Sequence, residues 1–114
     1  MSKKESKHAE RRSSKRISVN MWVREEQGDY YFLYKAADIG EGGLFLEKKI
    51  EKPHSQVRST FKFTLPKSSR LISAEGIVAY TQTSTENSRV GSGIRFICLN
   101  NQDKKLLTKF IRQH

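Results

Sequence analysis

The residues best suited to chemistry in this chain are arginines. Arg11, Arg12 and Arg16, with Lys15 among them, stand where a polar N-terminal stretch runs into an alternating apolar segment, Ile17-Ser18-Val19-Asn20-Met21-Trp22-Val23. Arginine is planar, permanently charged and donates through a fixed fork, which suits phosphate oxygens and the O6/N7 edge of guanine. It also stacks on flat rings. Such a cluster, at the hinge between an arm and a strand, can close as a jaw on an anionic, aromatic ligand. The same residues fit a plain solvated basic tail, so the rest of the chain has to decide.

Other constellations carry less. His8, His54 and His114 lie far apart, and with one cysteine there is no metal-ligand spacing. No Ser/His/Asp or Cys/His set is suggested. Glu41, Glu47 and Glu51 read as solvated loop charges. Gly40, Gly42 and Gly43 are not a phosphate-cradling P-loop, because no Gly-Lys-Ser/Thr comes after them. The chain is therefore expected to be neither an enzyme nor a holder of a metal or cofactor.

The elements that must position the arginines can be read from periodicity. Residues 1–10 have almost no apolar content, cannot offset their ordering entropy, and are expected to be a disordered basic tail. Residues 17–25 alternate as a half-buried strand, which turns at Gln27-Gly28-Asp29 into an aromatic strand over 30–37. Asp38-Ile39-Gly40-Glu41-Gly42-Gly43 is the densest glycine cluster, so it must be a tight turn or a close backbone approach. Further strands are expected over 44–47, 57–65, within 70–83 and over 90–98, with a polar loop over 48–55 and Gly76 at a bulge or bend. Asn100 or Asn101 caps a terminal helix over about 101–112, whose apolar stripe is Leu106, Leu107, Phe110 and Ile111. Hairpins without any βαβ alternation indicate an all-β domain, a small closed antiparallel barrel with the helix over one opening.

Length and charge bound the function. The 114 residues suffice for one domain, read as 11–114 after the tail. A net charge of +10 points to an anionic partner, and much of the excess lies before residue 17 in Lys3, Lys4, Lys7, Arg11, Arg12, Lys15 and Arg16. The lone Cys98 excludes an intramolecular disulfide. Its apolar run, Ile94-Arg95-Phe96-Ile97-Cys98, predicts a buried, inert thiol. No apolar stretch is long enough to span a membrane. Arg11-Arg12 is not a twin-arginine export signal, because Ser18, Asn20, Arg24, Glu25 and Glu26 interrupt the apolar segment beyond it. The expected location is the cytoplasm.

Three motifs in order carry a family resemblance. Arg12-Ser13-Ser14-Lys15-Arg16 fits Arg-x-x-x-Arg, with Arg11 giving a doubled arginine. After two strands, Asp38-Ile39-Gly40-Glu41-Gly42-Gly43 is similar to Asp/Asn-x-Ser-x-x-Gly, and Gly91-Ser92-Gly93-Ile94-Arg95-Phe96 to the glycine-rich entry to a last barrel strand. In this order and spacing the sequence resembles the PilZ domain, a bacterial receptor module for cyclic di-GMP, over roughly residues 11 to 112. The resemblance implies a six-stranded antiparallel β-barrel with a C-terminal helix, a cyclic di-GMP ligand, and links to motility, pili, exopolysaccharide (biofilm) and virulence.

The motif positions have chemistry of their own. Arg12 and Arg16 lie four apart on an arm, so both can turn to one ligand, as phosphate or guanine donors or as stacking planes. Arg11 is a candidate for a further contact. Asp38 can accept from guanine N1–H and N2–H₂, and Gly43 lets backbone approach closely. Gly40 departs from the family's serine. One lost neutral hydrogen bond costs about 0.5–1.5 kcal/mol, so weakened rather than abolished binding is expected. Tyr80 can offer a ring for guanine to stack on, or sit half-buried in the barrel. Trp22 has the parity opposite to Ile17, Val19, Met21 and Val23, so it faces outward, to pack under the C-terminal helix or a partner.

Three functions are compatible with these residues. The first is a cyclic di-GMP receptor, in which ligand orders residues 9–16 against the barrel and the reshaped surface binds or releases a downstream protein. The second is a PilZ-like interaction module that has lost the nucleotide through Gly40. The third is a small basic barrel that binds nucleic acid through its tail.

Overall fold

The computed structural model of the protein describes residues 15–50, 57–83 and 89–114. Arg11, Arg12 and the expected tail lie outside the described residues. Six strands run β1 (Arg16–Gln27), β2 (Tyr30–Gly40), β3 (Gly43–Glu47), β4 (Ser59–Thr64), β5 (Leu71–Gln82) and β6 (Gly91–Leu99), and the chain ends in α1 (Asn101–Arg112). All pairings are antiparallel and close into a barrel in the order β1-β2-β3-β6-β5-β4. The all-β six-stranded barrel with a C-terminal helix, which the resemblance implies and with which the strand periodicity agrees, is the fold.

The inward residues of each strand make the core: Val23, Ile39, Leu44, Leu46, Phe61, Phe63 and Ile72 are all buried, and α1 lays Leu107, Phe110 and Ile111 onto them. The helix starts where its cap demands. The Asn100 side chain accepts from the Asp103 N–H at 2.8 Å, a cap worth about 1 kcal/mol. The buried Asp103 carboxylate in turn accepts from Arg70 Nε at 2.8 Å and from the Ser73 N–H at 3.2 Å, which pins the helix start to β5. Lys109 and Arg112 in the last turn complement the helix dipole. No helix among the described residues is long and apolar enough to cross a membrane.

Alternation in β1 continues one step further than an apolar pattern can show. Glu25 comes after Met21 and Val23 on the inward face and is buried. Its Oε1 receives the Lys49 ammonium at 2.8 Å, and its Oε2 accepts from the Ser59 hydroxyl at 2.6 Å. Lys49 is buried as well, with its Nζ 5.1 Å from the Tyr34 ring centre. The polar loop expected after β3 thus begins by burying a lysine, because an interior carboxylate needs a cation.

Two expectations are corrected. Cys98 is exposed, not buried. The register of β5 and β6 pairs Gly76 with Phe96 and Glu75 with Cys98, so Ile97 is an extra residue. A bulge exchanges the faces beyond it: Leu99 turns to the core and Cys98 to solvent. Trp22 does face outward, at 62% exposure, but it does not pack under α1. The helix closes the barrel's end, with Phe110 and His114 beside Ile17–Asn20. Trp22 stands further along the outer face, where the Lys35 ammonium lies 5.0 Å from its ring centre.

Candidate functional site

Two further bulges assemble a patch on the outer surface of the barrel. In β2, Ala36 pairs with Leu46 and Asp38 with Phe45, which leaves Ala37 extra. Ala36 is buried, and the bulge turns Asp38 to the outside, where strict alternation from Ala36 would have sent it inward. In β5, Val78 pairs with Ile94 and Tyr80 with Gly93, which leaves Ala79 extra. Tyr80 would otherwise share the inward face of Ile72, Ala74 and Val78. It is instead outside and 44% exposed.

The glycines of β6 make room for flat rings. A methyl group at Gly93 would be driven into the Tyr80 ring, and one at Gly91 would be driven into the Leu46 carbonyl oxygen and stand 2.9 Å from the edge of the Phe45 ring. Phe45 and Tyr80 therefore lie against bare backbone, their ring centres 6.3 Å apart. Phe45 points out from β3, opposite to Leu44 and Leu46, yet is fully buried, because other side chains cover it. One cover is Tyr80, and another is the Arg89 guanidinium, 4.2 Å from the ring centre.

Asp38 ties the edge of this platform together. Its Oδ1 accepts from Arg16 Nε at 3.0 Å and lies 2.8 Å from Arg16 Nη2. Its Oδ2 accepts from Arg89 Nη1 at 2.7 Å. Arg16 reaches Asp38 because β1 pairs Arg16 with Gly40 and Ser18 with Asp38, so the guanidinium lies diagonally across the two strands. Gly40 is what allows this path: a Cβ there would stand 2.8 Å from the Lys15 carbonyl oxygen and 3.1 Å from Arg16 Cδ. A serine at 40 would have to push back the root of the arm, so the departure from the family serine has a local steric counterpart.

The expected glycine turn is shorter than the motif that holds it. Asp38, Ile39 and Gly40 complete β2, Gly40 pairs with Gly43, and Glu41-Gly42 alone makes the turn. Gly43 is a close backbone approach, its α-carbon facing the Ile94 carbonyl of β6. Of the candidate residues, Arg16, Asp38 and Tyr80 meet on one outer surface around Phe45. Gly40 and Gly43 shape its end by letting backbone come close. Arg11 and Arg12 lie outside the described residues. Phe45 and Arg89 are members of the patch that the sequence did not single out. The available signal was Gly91-Ser92-Gly93, two glycines on one face of a strand, which marks a close approach by a ring or by backbone.

The patch offers what a planar, anionic ligand needs: an aromatic shelf, planar cations at its rim and a carboxylate to receive N–H groups. Among the described residues, no three His, Cys, Asp or Glu side chains gather as a metal centre would need.

No curated protein matches the chain by sequence. Among solved structures it is similar to the Bacillus subtilis inhibitor of motility MotI/DgrA, with a TM-score of 0.73 at 14% identity over 88% of this chain. That match covers 49% of MotI, so the chain spans about half that protein's length. It is also similar to the PilZ domain of YcgR from Escherichia coli, solved with c-di-GMP, with a TM-score of 0.63 at 14% identity over 90% of each chain. At that identity these likenesses establish the fold. The PilZ domain family model matches residues 10–113, nearly the whole sequence and every motif on the patch, and the chain belongs to the PilZ domain family.

Proposed function

We propose that this protein is a cyclic di-GMP receptor and not an enzyme, with Arg11, Arg12, Arg16, Asp38, Gly40, Gly43 and Tyr80 forming the ligand site. The observation that carries the reading is the outer patch itself: Tyr80 and Phe45 on the glycine floor of β6, with Asp38 and Arg16 at its edge. Cyclic di-GMP presents two guanines to stack and two phosphodiesters to pair with guanidinium forks. Arg11 and Arg12 precede β1, which begins at Arg16 beside the patch, and in this reading they close on the ligand from there. Ligand energy then offsets the ordering cost of the arm, and the reshaped surface binds or releases a downstream protein. Residues 1–10 remain a basic tail to a domain over 11–114, and the protein works in the cytoplasm. The structure with c-di-GMP of the YcgR PilZ domain supports this choice of ligand.

The test is selectivity. Titrated by calorimetry at one fixed salt concentration, cyclic di-GMP is expected to bind in the micromolar range or tighter, whereas cyclic di-AMP and GTP bind at least about tenfold more weakly for want of matched base and phosphate contacts. Equal, salt-sensitive binding of all three would instead mark a non-specific cationic surface. Absence of binding by all three would favour a protein-interaction module in which the root of the arm, lying over Gly40, has displaced the nucleotide.

A further inference from the structure

Arg89 belongs to none of the family-like motifs, and its position is not that of an ordinary surface ion pair. Asp38 already has a full counter-charge in Arg16, yet Arg89 joins it at 2.7 Å. The trio Arg16, Asp38 and Arg89 keeps one surplus positive charge. That charge is delocalised over a guanidinium whose central carbon lies over the Phe45 ring, 4.2 Å from its centre. One face of the guanidinium covers a buried ring, while its side chain stays 47% exposed. Tyr80, tilted at 33° to Phe45, continues the shelf beside it.

An exposed ion pair alone contributes little, about 0–1 kcal/mol. What the arrangement does achieve is preorganisation. The Asp38 carboxylate holds the guanidinium in one orientation, so a ring stacking on its outer face meets a plane that is already fixed. Oδ1 faces two N–H groups of Arg16, whereas Oδ2 accepts one from Arg89. A carboxylate has about four acceptor sites, so Oδ2 can still receive an N–H from a base placed next to Arg89.

We propose that Arg89 is a further ligand-binding residue: its guanidinium, held over Phe45 by Asp38, is the stacking plane for one guanine of the nucleotide and brings positive charge to the adjoining phosphodiester. The proposal rests on the receptor reading and adds to it a residue, a face and an orientation. Guanine stacks on the outer side of Arg89 and donates to Asp38 Oδ2, while Arg16 faces a phosphate. In this arrangement Asp38 acts both as an acceptor and as the positioning residue for two arginines.

The test is calorimetric titration of cyclic di-GMP into the full-length wild type, Arg89→Ala and Arg89→Lys, with thermal unfolding of each. Arg89→Ala is expected to weaken binding about tenfold or more, the combined loss of a cation–π stack and a charged donor. Arg89→Lys keeps the charge without the plane. It is expected to fall between the other two, with the salt dependence of the wild type but weaker binding. Both variants should unfold within a few degrees of the wild type, since an exposed arginine is exchanged. Wild-type binding that both variants retain unchanged would overturn the assignment while leaving the receptor reading intact. A lysine variant that binds as tightly as the wild type, with the alanine variant weakened, would overturn the stacking role. No heat with the wild type itself would overturn both readings together.

Discussion

Replacing Lys49 by alanine is expected to destabilise the protein by about 3–5 kcal/mol, the usual cost of leaving one partner of a buried ion pair uncompensated. Lys49 and Glu25 are both nearly inaccessible, their side chains 4% and 3% exposed. Without the ammonium, the Glu25 carboxylate keeps the Ser59 hydroxyl but loses its counter-charge in a dry interior. The loss is a large share of the total stability of a domain this size, and the melting temperature should fall by roughly 10–25 °C. A variant that removes both charges, Glu25→Leu with Lys49→Met, should recover most of the loss, because apolar groups of similar size often replace a buried pair without cost. Urea unfolding of the wild type, the two singles and the double gives the coupling directly. A Lys49→Ala variant within about 1 kcal/mol of the wild type would show that the pair is not dry.

The second large effect is expected at Gly43. Its α-carbon faces the backbone of β6, and a methyl group there would be driven into the Ile94 carbonyl oxygen. Backbone cannot swing aside as a side chain can, so β3 and β6 must part. Gly43→Ala is expected to cost about 3 kcal/mol or more, lowering the melting temperature by roughly 10–20 °C. The neighbouring Gly42 supplies the control: a Cβ there meets nothing within 4 Å, so Gly42→Ala should unfold close to the wild type. Equal melting temperatures for the two variants would contradict the close approach.

These two sites also mark where the sequence can be read and where it cannot. Alternation in β1 and β4 and the stripe on α1 were enough for the barrel and the helix, because, Trp22 apart, the apolar positions there are also inward ones. The outward direction of Trp22 came from the same parity. Alternation fails at a bulge, and this barrel has extra residues at Ala37, Ala79 and Ile97 as well as a register shift in β1 between Ser18 and Met21. Nothing in the side chain of an alanine announces that it is unpaired. Yet these three residues decide that Asp38 and Tyr80 face outward and that Cys98 does as well. The Glu25–Lys49 pair was hidden for another reason: each residue alone looks like a surface charge, and only their meeting across the fold makes burial tolerable.

The candidate site was legible to the extent that motif spacing carries it. Arg16 and Asp38 are far apart in sequence, and the β1–β2 hairpin brings them near each other, but the 2.8 Å contact also needs a register shift between Ser18 and Met21 that no hairpin reading implies. Phe45 and Arg89 were not legible, since Phe45 looks like one more core residue of β3 and Arg89 like a loop charge. Their role depends on the flat glycine floor of β6, a relation between strands rather than a property of either residue.

The receptor reading is tested most directly by calorimetric titration of cyclic di-GMP into the wild type beside an Arg12→Ala/Arg16→Ala variant. Saturable binding at micromolar concentration or tighter is expected for the wild type. A loss of about 100-fold or more is expected in the variant, from two charge-assisted contacts at about 1.5–3 kcal/mol each. The melting temperature should change little, since both residues belong to the arm and its junction with β1. Binding that survives intact in the double variant, or no binding by a folded wild type at high micromolar ligand, would contradict the receptor reading.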